Sequence, residues 1–199
     1  MAELYRKTYS IFVLLIALLI ASCSDDDGNP PDPFPDINRG DIEANRLKIT
    51  FTLDTDTTNV QTIEFSDPDG LEGADPIIVD TVKLLGPIVQ TAKRNYSSTI
   101  EFFDGSDDVT GSIRAKEDEY VICYRDMNTN NLELKRTDVD SDGKRLGFEL
   151  EWSTVEILTP PPTDGHIKIT LNFQPSGKDG LCDPGIRIME ARVPYQIEF

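Results

Sequence analysis

The chain has 199 residues, with 36 acidic against 19 basic side chains and one histidine, for a formal net charge of −17. That surplus excludes a typical nucleic-acid binder, which needs Lys and Arg to displace counterions from phosphates, and it opposes adsorption to an anionic membrane surface. One histidine and three cysteines leave most zinc and haem constellations without ligands, while 38% hydrophobic residues still suffice for a buried core.

Arg6 and Lys7 precede an unbroken apolar run, Ile11 to Ala21. It is shorter than the ~20 residues a spanning helix needs. A positive start, a short apolar run and small residues at its end read as a secretory signal over residues 1–22. The run closes on Ile20-Ala21-Ser22-Cys23, which resembles the lipobox of bacterial lipoproteins. That resemblance implies cleavage before Cys23, lipid attachment to Cys23 and anchorage in a membrane through the lipid. The following Ser24-Asp25-Asp26-Asp27 resembles the export signal of Bacteroidota lipoproteins, which implies an outer-membrane anchor facing the cell exterior. A solvated spacer is the plainer reading of the same acids. Loss of the leader removes Glu3, Arg6 and Lys7 and takes the charge from −17 to −18. Residues 23–45, rich in proline and acids, read as an extended tether, and 46–199 as the folded domain.

From Arg46 the hydrophobic period is two, the mark of half-buried strands. Leu47, Ile49, Phe51 and Leu53 alternate with polar residues, as do Phe148, Leu150 and Trp152, then Ile167, Ile169, Leu171 and Phe173, then Ala191 to Phe199. Weaker strand patterns cover Val60–Phe65, Ile77–Leu85, Tyr96–Phe103, Glu119–Arg125 and Leu132–Lys135, with a short helical turn around Ile113 to Glu119. Eight or nine short strands separated by Gly, Asp and Pro turns predict an all-β fold. The expectation is an antiparallel, immunoglobulin-like β-sandwich, with a small β-barrel as the alternative.

The sharpest local motif is Asp138-Val139-Asp140-Ser141-Asp142-Gly143 followed by Glu149. It fits the D-x-D-x-D-G-x5-E spacing with which Asp138, Asp140, Asp142 and Glu149 would wrap Ca2+. Strand-like flanks and Arg145 at the eighth loop position depart from a helix–loop–helix hand. Either the loop is a calcium-binding hairpin or it is an acidic turn in which Asp caps its own backbone and Gly supplies positive φ. Asp67 to Asp75 forms a second acidic loop without ligand spacing. With Cys23 lipidated, Cys123 and Cys182 remain as a pair for a disulfide in an oxidising compartment, or Cys123 is a buried free thiol. His166 lacks a second histidine and a nucleophile-elbow partner, so no catalytic triad is legible. Tyr96, Phe102, Phe103, Tyr120, Tyr124, Trp152 and Tyr195 could form a glycan platform or a core.

Ile63 to Gly70, the Asp140 to Gly147 turn, Ile169 to Pro175 and the closing strand resemble a family of small flavobacterial surface lipoproteins. The likeness implies fold and address, not mechanism. Together these features lead us to expect a non-enzymatic, outer-membrane-anchored binding module. It would capture a solute or glycan, or act as accessory to an outer-membrane transporter. A calcium-stabilised structural or adhesive surface module is the alternative.

Overall fold

The structure, a computed structural model, describes residues 40–69, 77–78, 81–85, 93–127, 132–154, 164–175, 178–183 and 185–198. Among the described residues there are eleven strands: β1 (Arg46–Leu53), β2 (Asp56–Ser66), β3 (Ile77–Ile78), β4 (Val82–Leu85), β5 (Arg94–Asp104), β6 (Asp107–Asp108), β7 (Tyr120–Asp126), β8 (Leu132–Arg136), β9 (Glu149–Thr154), β10 (Asp164–Phe173) and β11 (Ile186–Glu198). Among the described residues one short helix, α1, spans Thr110–Arg114. Among the described residues no helix is long and apolar enough to cross a membrane.

The strands form two sheets. The larger runs β3-β2-β1-β5-β9-β8, with β6 beside β5; the smaller runs β4-β11-β10-β7. The all-β, two-sheet architecture expected from the alternation is the one adopted. Two features raise the strand count above nine. The apolar stretch Ile77–Leu85 does not form one strand: β3 pairs with β2 in the large sheet and β4 with β11 in the small one. The Asp104-Gly105 turn also carries a short return strand, β6. The β4–β11 pairing is parallel, unlike the other pairings.

Register follows burial. Ile49 stands opposite Ile63 on one side and Ile100 on the other, so one row of apolar side chains crosses three strands. From the small sheet, Ile167, Ile169 and Leu171 of β10 and Ala191, Val193 and Tyr195 of β11 point into the same core. Trp152 is wholly buried at its centre. Its ring meets Phe51 edge-on at 4.9 Å and Tyr124 of the opposing sheet at 6.2 Å, and its indole N–H donates to Ser98 Oγ at 2.6 Å. That bond satisfies a donor which burial would otherwise leave unpaired.

Two expectations shift. The helical turn starts earlier than Ile113: Asp108 accepts the Thr110 N–H at 2.9 Å, and Ile113 alone anchors the turn in the core. The domain also begins before Arg46. Ile42 and Ala44 are buried in the core, Asp41 pairs with Lys116, and the Asn45 N–H donates to Phe103 O at 3.0 Å. Composition alone placed these residues in the tether because acids surround their two apolar side chains.

Trp152→Ala should cost about 3–5 kcal/mol of unfolding free energy. Ser98→Ala should cost about 1–3 kcal/mol, because the indole N–H stays buried without an acceptor. Urea titrations of both variants check these values; a Ser98→Ala protein as stable as the parent would contradict the second.

Candidate functional site

In β10 the outer face of the small sheet carries Lys168, Thr170 and Asn172, beyond the exposed Asp164 and His166 at the strand's start. Polar residues on an outer face are normally exposed, yet Thr170 and Asn172 are 8% and 6% exposed. Asn172 Nδ2 donates to Thr170 Oγ1 at 2.9 Å. Beside them on β7, Cys123 is also buried. These residues floor a cavity of about 380 Å³, with Arg125 and Arg187 at its sides and Cys182 and Asp183 contributing from the segment 178–183.

Several contacts hold that segment, among them three that fix it to β7, to β8 and to the turn that carries Asp140. Cys123 and Cys182 are joined in a disulfide, with Cα atoms 5.8 Å apart. Arg136 donates to Gly180 O at 2.9 Å. Lys178, whose side chain is fully buried, pairs with Asp140 at 2.7 Å. The ammonium has no other partner among the described residues. A buried cation of this kind needs a carboxylate close by, because desolvation of an isolated charge is expensive.

The acidic loop therefore does a different job from the one its spacing suggests. Asp138 accepts the N–H groups of Gly147 and Phe148, both at 2.8 Å. One oxygen of Asp140 accepts the N–H groups of Asp142 and Lys144 at 3.0 and 2.7 Å, while its other oxygen faces Lys178. Asp142 is paired with Lys144 at 3.6 Å. Glu149 is exposed on β9. The four carboxylates expected to share calcium do not converge, and among the described residues no group of three or more His, Cys, Asp or Glu is arranged to hold a metal ion. The calcium expectation thus gives way to an internally bonded turn whose buried cation is Lys178. Gly147 completes the turn at φ +104°, where a Cβ would sit 2.5 Å from the Ile122 carbonyl oxygen.

Burial pushes the Asp140 carboxyl up, but the Lys178 ammonium and the two backbone N–H donors outweigh it and hold the group below the ordinary range. Glu190 behaves alike. Burial opposes its charge, and Lys168, Arg187 and Arg192 more than restore it. Lys168 and Arg187 lie 2.8 and 2.5 Å from Glu190, which fixes both cations beside the cavity.

Other candidate residues fall elsewhere. Tyr96, Phe102, Tyr120, Trp152 and Tyr195 are buried in the core, so they form no glycan platform. Phe103 is covered by Arg46 at 4.2 Å, and Tyr124 donates to Gly147 O at 2.6 Å. His166 sits on the outer face of β10 and is exposed. Cys23, Ser24, Asp25, Asp26, Asp27 and residues 70–76 of the second acidic loop lie outside the described residues. Arg125, Lys168 and Arg187 were not singled out from sequence. Alternation reveals that Lys168, Thr170 and Asn172 share a polar face, but not that the connection from β10 to β11 helps line a cavity over it.

Comparison with protein-family models, with curated proteins and with solved structures finds no match to this chain.

Two measurements test the loop. Asp140→Asn should lower stability at neutral pH by about 3–5 kcal/mol, since it leaves Lys178 buried and unpaired, and Asp140→Asn/Lys178→Met should recover part of that loss. A carboxyl held below its unfolded value contributes stability above about pH 4, and that contribution is lost as pH falls through the folded value. Parent stability should accordingly drop below pH 4, with a shallower drop in the double variant. Separately, Cys123→Ala/Cys182→Ala opens a crosslink between positions 59 residues apart and should cost about 2–4 kcal/mol in urea unfolding.

Proposed function

We propose that this protein is an exported, lipid-anchored binding module without catalytic activity. It is held on the outer membrane through Cys23, faces the cell exterior, and captures a solute directly or as accessory to an outer-membrane transporter. The observation that carries the binding role is the cavity over β7 and β10, floored by Thr170 and Asn172 and walled by a segment fixed covalently at Cys182. Ligand sites are commonly preformed concavities of roughly this size with a few convergent polar groups. The address rests on the Ile20-Ala21-Ser22-Cys23 junction and the acids after it. A disulfide suits a chain that leaves the reducing cytoplasm.

The calcium-stabilised alternative has no supporting geometry, since the loop carboxylates are engaged by N–H groups and by lysines.

Cys23→Ser should release the protein from the membrane fraction and abolish incorporation of a labelled fatty acid. Alanine at Ser24, Asp25, Asp26 and Asp27 should leave lipidation intact while protecting the domain from protease added to whole cells. Membrane retention of the Cys23→Ser protein would sink the anchor, and unchanged surface cleavage of the alanine variant would sink the export role of the acids.

A further inference from the structure

Cross-strand charges on the large sheet are complementary. Lys48 of β1 stands opposite Glu101 of β5 and bonds it at 2.7 Å. Lys135 of β8 stands opposite Glu151 of β9 and bonds it at 2.8 Å. The small sheet breaks this rule on its outer face. Arg125 of β7 is directly opposite Lys168 of β10, and Lys168 is directly opposite Arg192 of β11. Three cations thus form one row across three adjacent strands, an arrangement that destabilises a sheet. Glu190, one row away, bonds Lys168, Arg187 and Arg192. Arg125 makes no ion pair with any described residue, and it lines the cavity with Lys168 and Arg187. Asp183 is the sole carboxylate among the described lining residues. A positive concavity on a chain of net charge −17 is the opposite of what composition alone would place there.

We infer that the cavity over β7 and β10 binds a small oxyanion, a carboxylate, sulfate or phosphate group, between Arg125, Lys168 and Arg187. This inference rests on the binding-module reading and names the ligand class for its site. Arg125 supplies a planar fork of N–H donors that matches an oxyanion edge. Lys168 and Arg187, steadied by Glu190, supply the remaining positive charge. The Thr170 hydroxyl and the second N–H of Asn172 give neutral donors on the cavity floor. The volume of about 380 Å³ suits a molecule of roughly one sugar ring.

The probes are D-glucuronate and D-glucose, which differ in the group at C6, and inorganic phosphate. Calorimetric titration and thermal melts would be run on the disulfide-intact protein near physiological ionic strength. D-Glucuronate or phosphate should bind and raise the melting temperature, D-glucose should not, and Arg125→Gln should weaken anion binding about tenfold or more. The same substitution removes a like-charge neighbour of Lys168, so the ligand-free variant should melt at or above the parent's temperature. Binding of phosphate without glucuronate assigns the site to inorganic oxyanions; the reverse assigns it to organic acids. Equal binding of glucose and glucuronate, or anion binding indifferent to Arg125→Gln, overturns the anion assignment while leaving a binding module. No binding of either anion overturns the inference, whereas failure of the module reading itself would appear as a cavity that retains neither charged nor neutral solutes.

Discussion

The buried pair of Asp140 and Lys178 is the constraint on which the outer face of the small sheet depends. Lys178 is placed where water cannot reach its ammonium, so the chain around it must deliver a carboxylate. The Asp138–Gly147 turn delivers it, and turn and segment 178–183 thereby fix each other. The disulfide and the Arg136 bond to Gly180 act on the same segment, which keeps it over the sheet. Without that segment the cavity would lose the part of its lining that Cys182 and Asp183 supply.

An acidic turn and an ion-binding loop share much of their sequence logic. Both need alternating carboxylates and a glycine of positive φ, and Asp138 to Gly143 meets that description. The outcome is decided by the donors the fold brings to the oxygens. Here the turn's own N–H groups and a lysine from a remote segment reach Asp138 and Asp140 first. Their charge is consumed in organising backbone rather than in chelation.

The same distinction marks what was legible in the residues. The alternation in Arg46–Leu53, Glu149–Thr154 and Ile167–Phe173 identifies inward side chains because the pleat has a strict period of two. Cys123 and Cys182 could be paired by elimination once Cys23 is assigned to lipid, with the free thiol left open. The division of Ile77–Leu85 between two sheets was hidden, since an apolar run does not say which sheet it joins. The parallel pairing of β4 with β11 was hidden for the same reason. The aromatics could be a platform or a core by composition; register sends Tyr96, Trp152 and Tyr195 inward. Arg125, Lys168 and Arg192 looked like scattered surface charge because their alignment exists only after β10 is paired with β11 on one side and with β7 on the other.

Charge arrangement then separates stability from function on the two sheets. The large sheet places Lys48 between Glu64 and Glu101 and gives Lys135 to Glu151, so its surface charges offset one another. The small sheet accepts a row of like charges that its own fold does not fully neutralise. The surrounding acids repel anions at long range, but at physiological ionic strength that field decays over ~8 Å. An anion seated within hydrogen-bond distance of Arg125 and Lys168 is therefore governed by the cations it touches, not by the net charge of the chain. Selectivity in such a site is local, and the overall acidity serves solubility without dictating what the cavity holds.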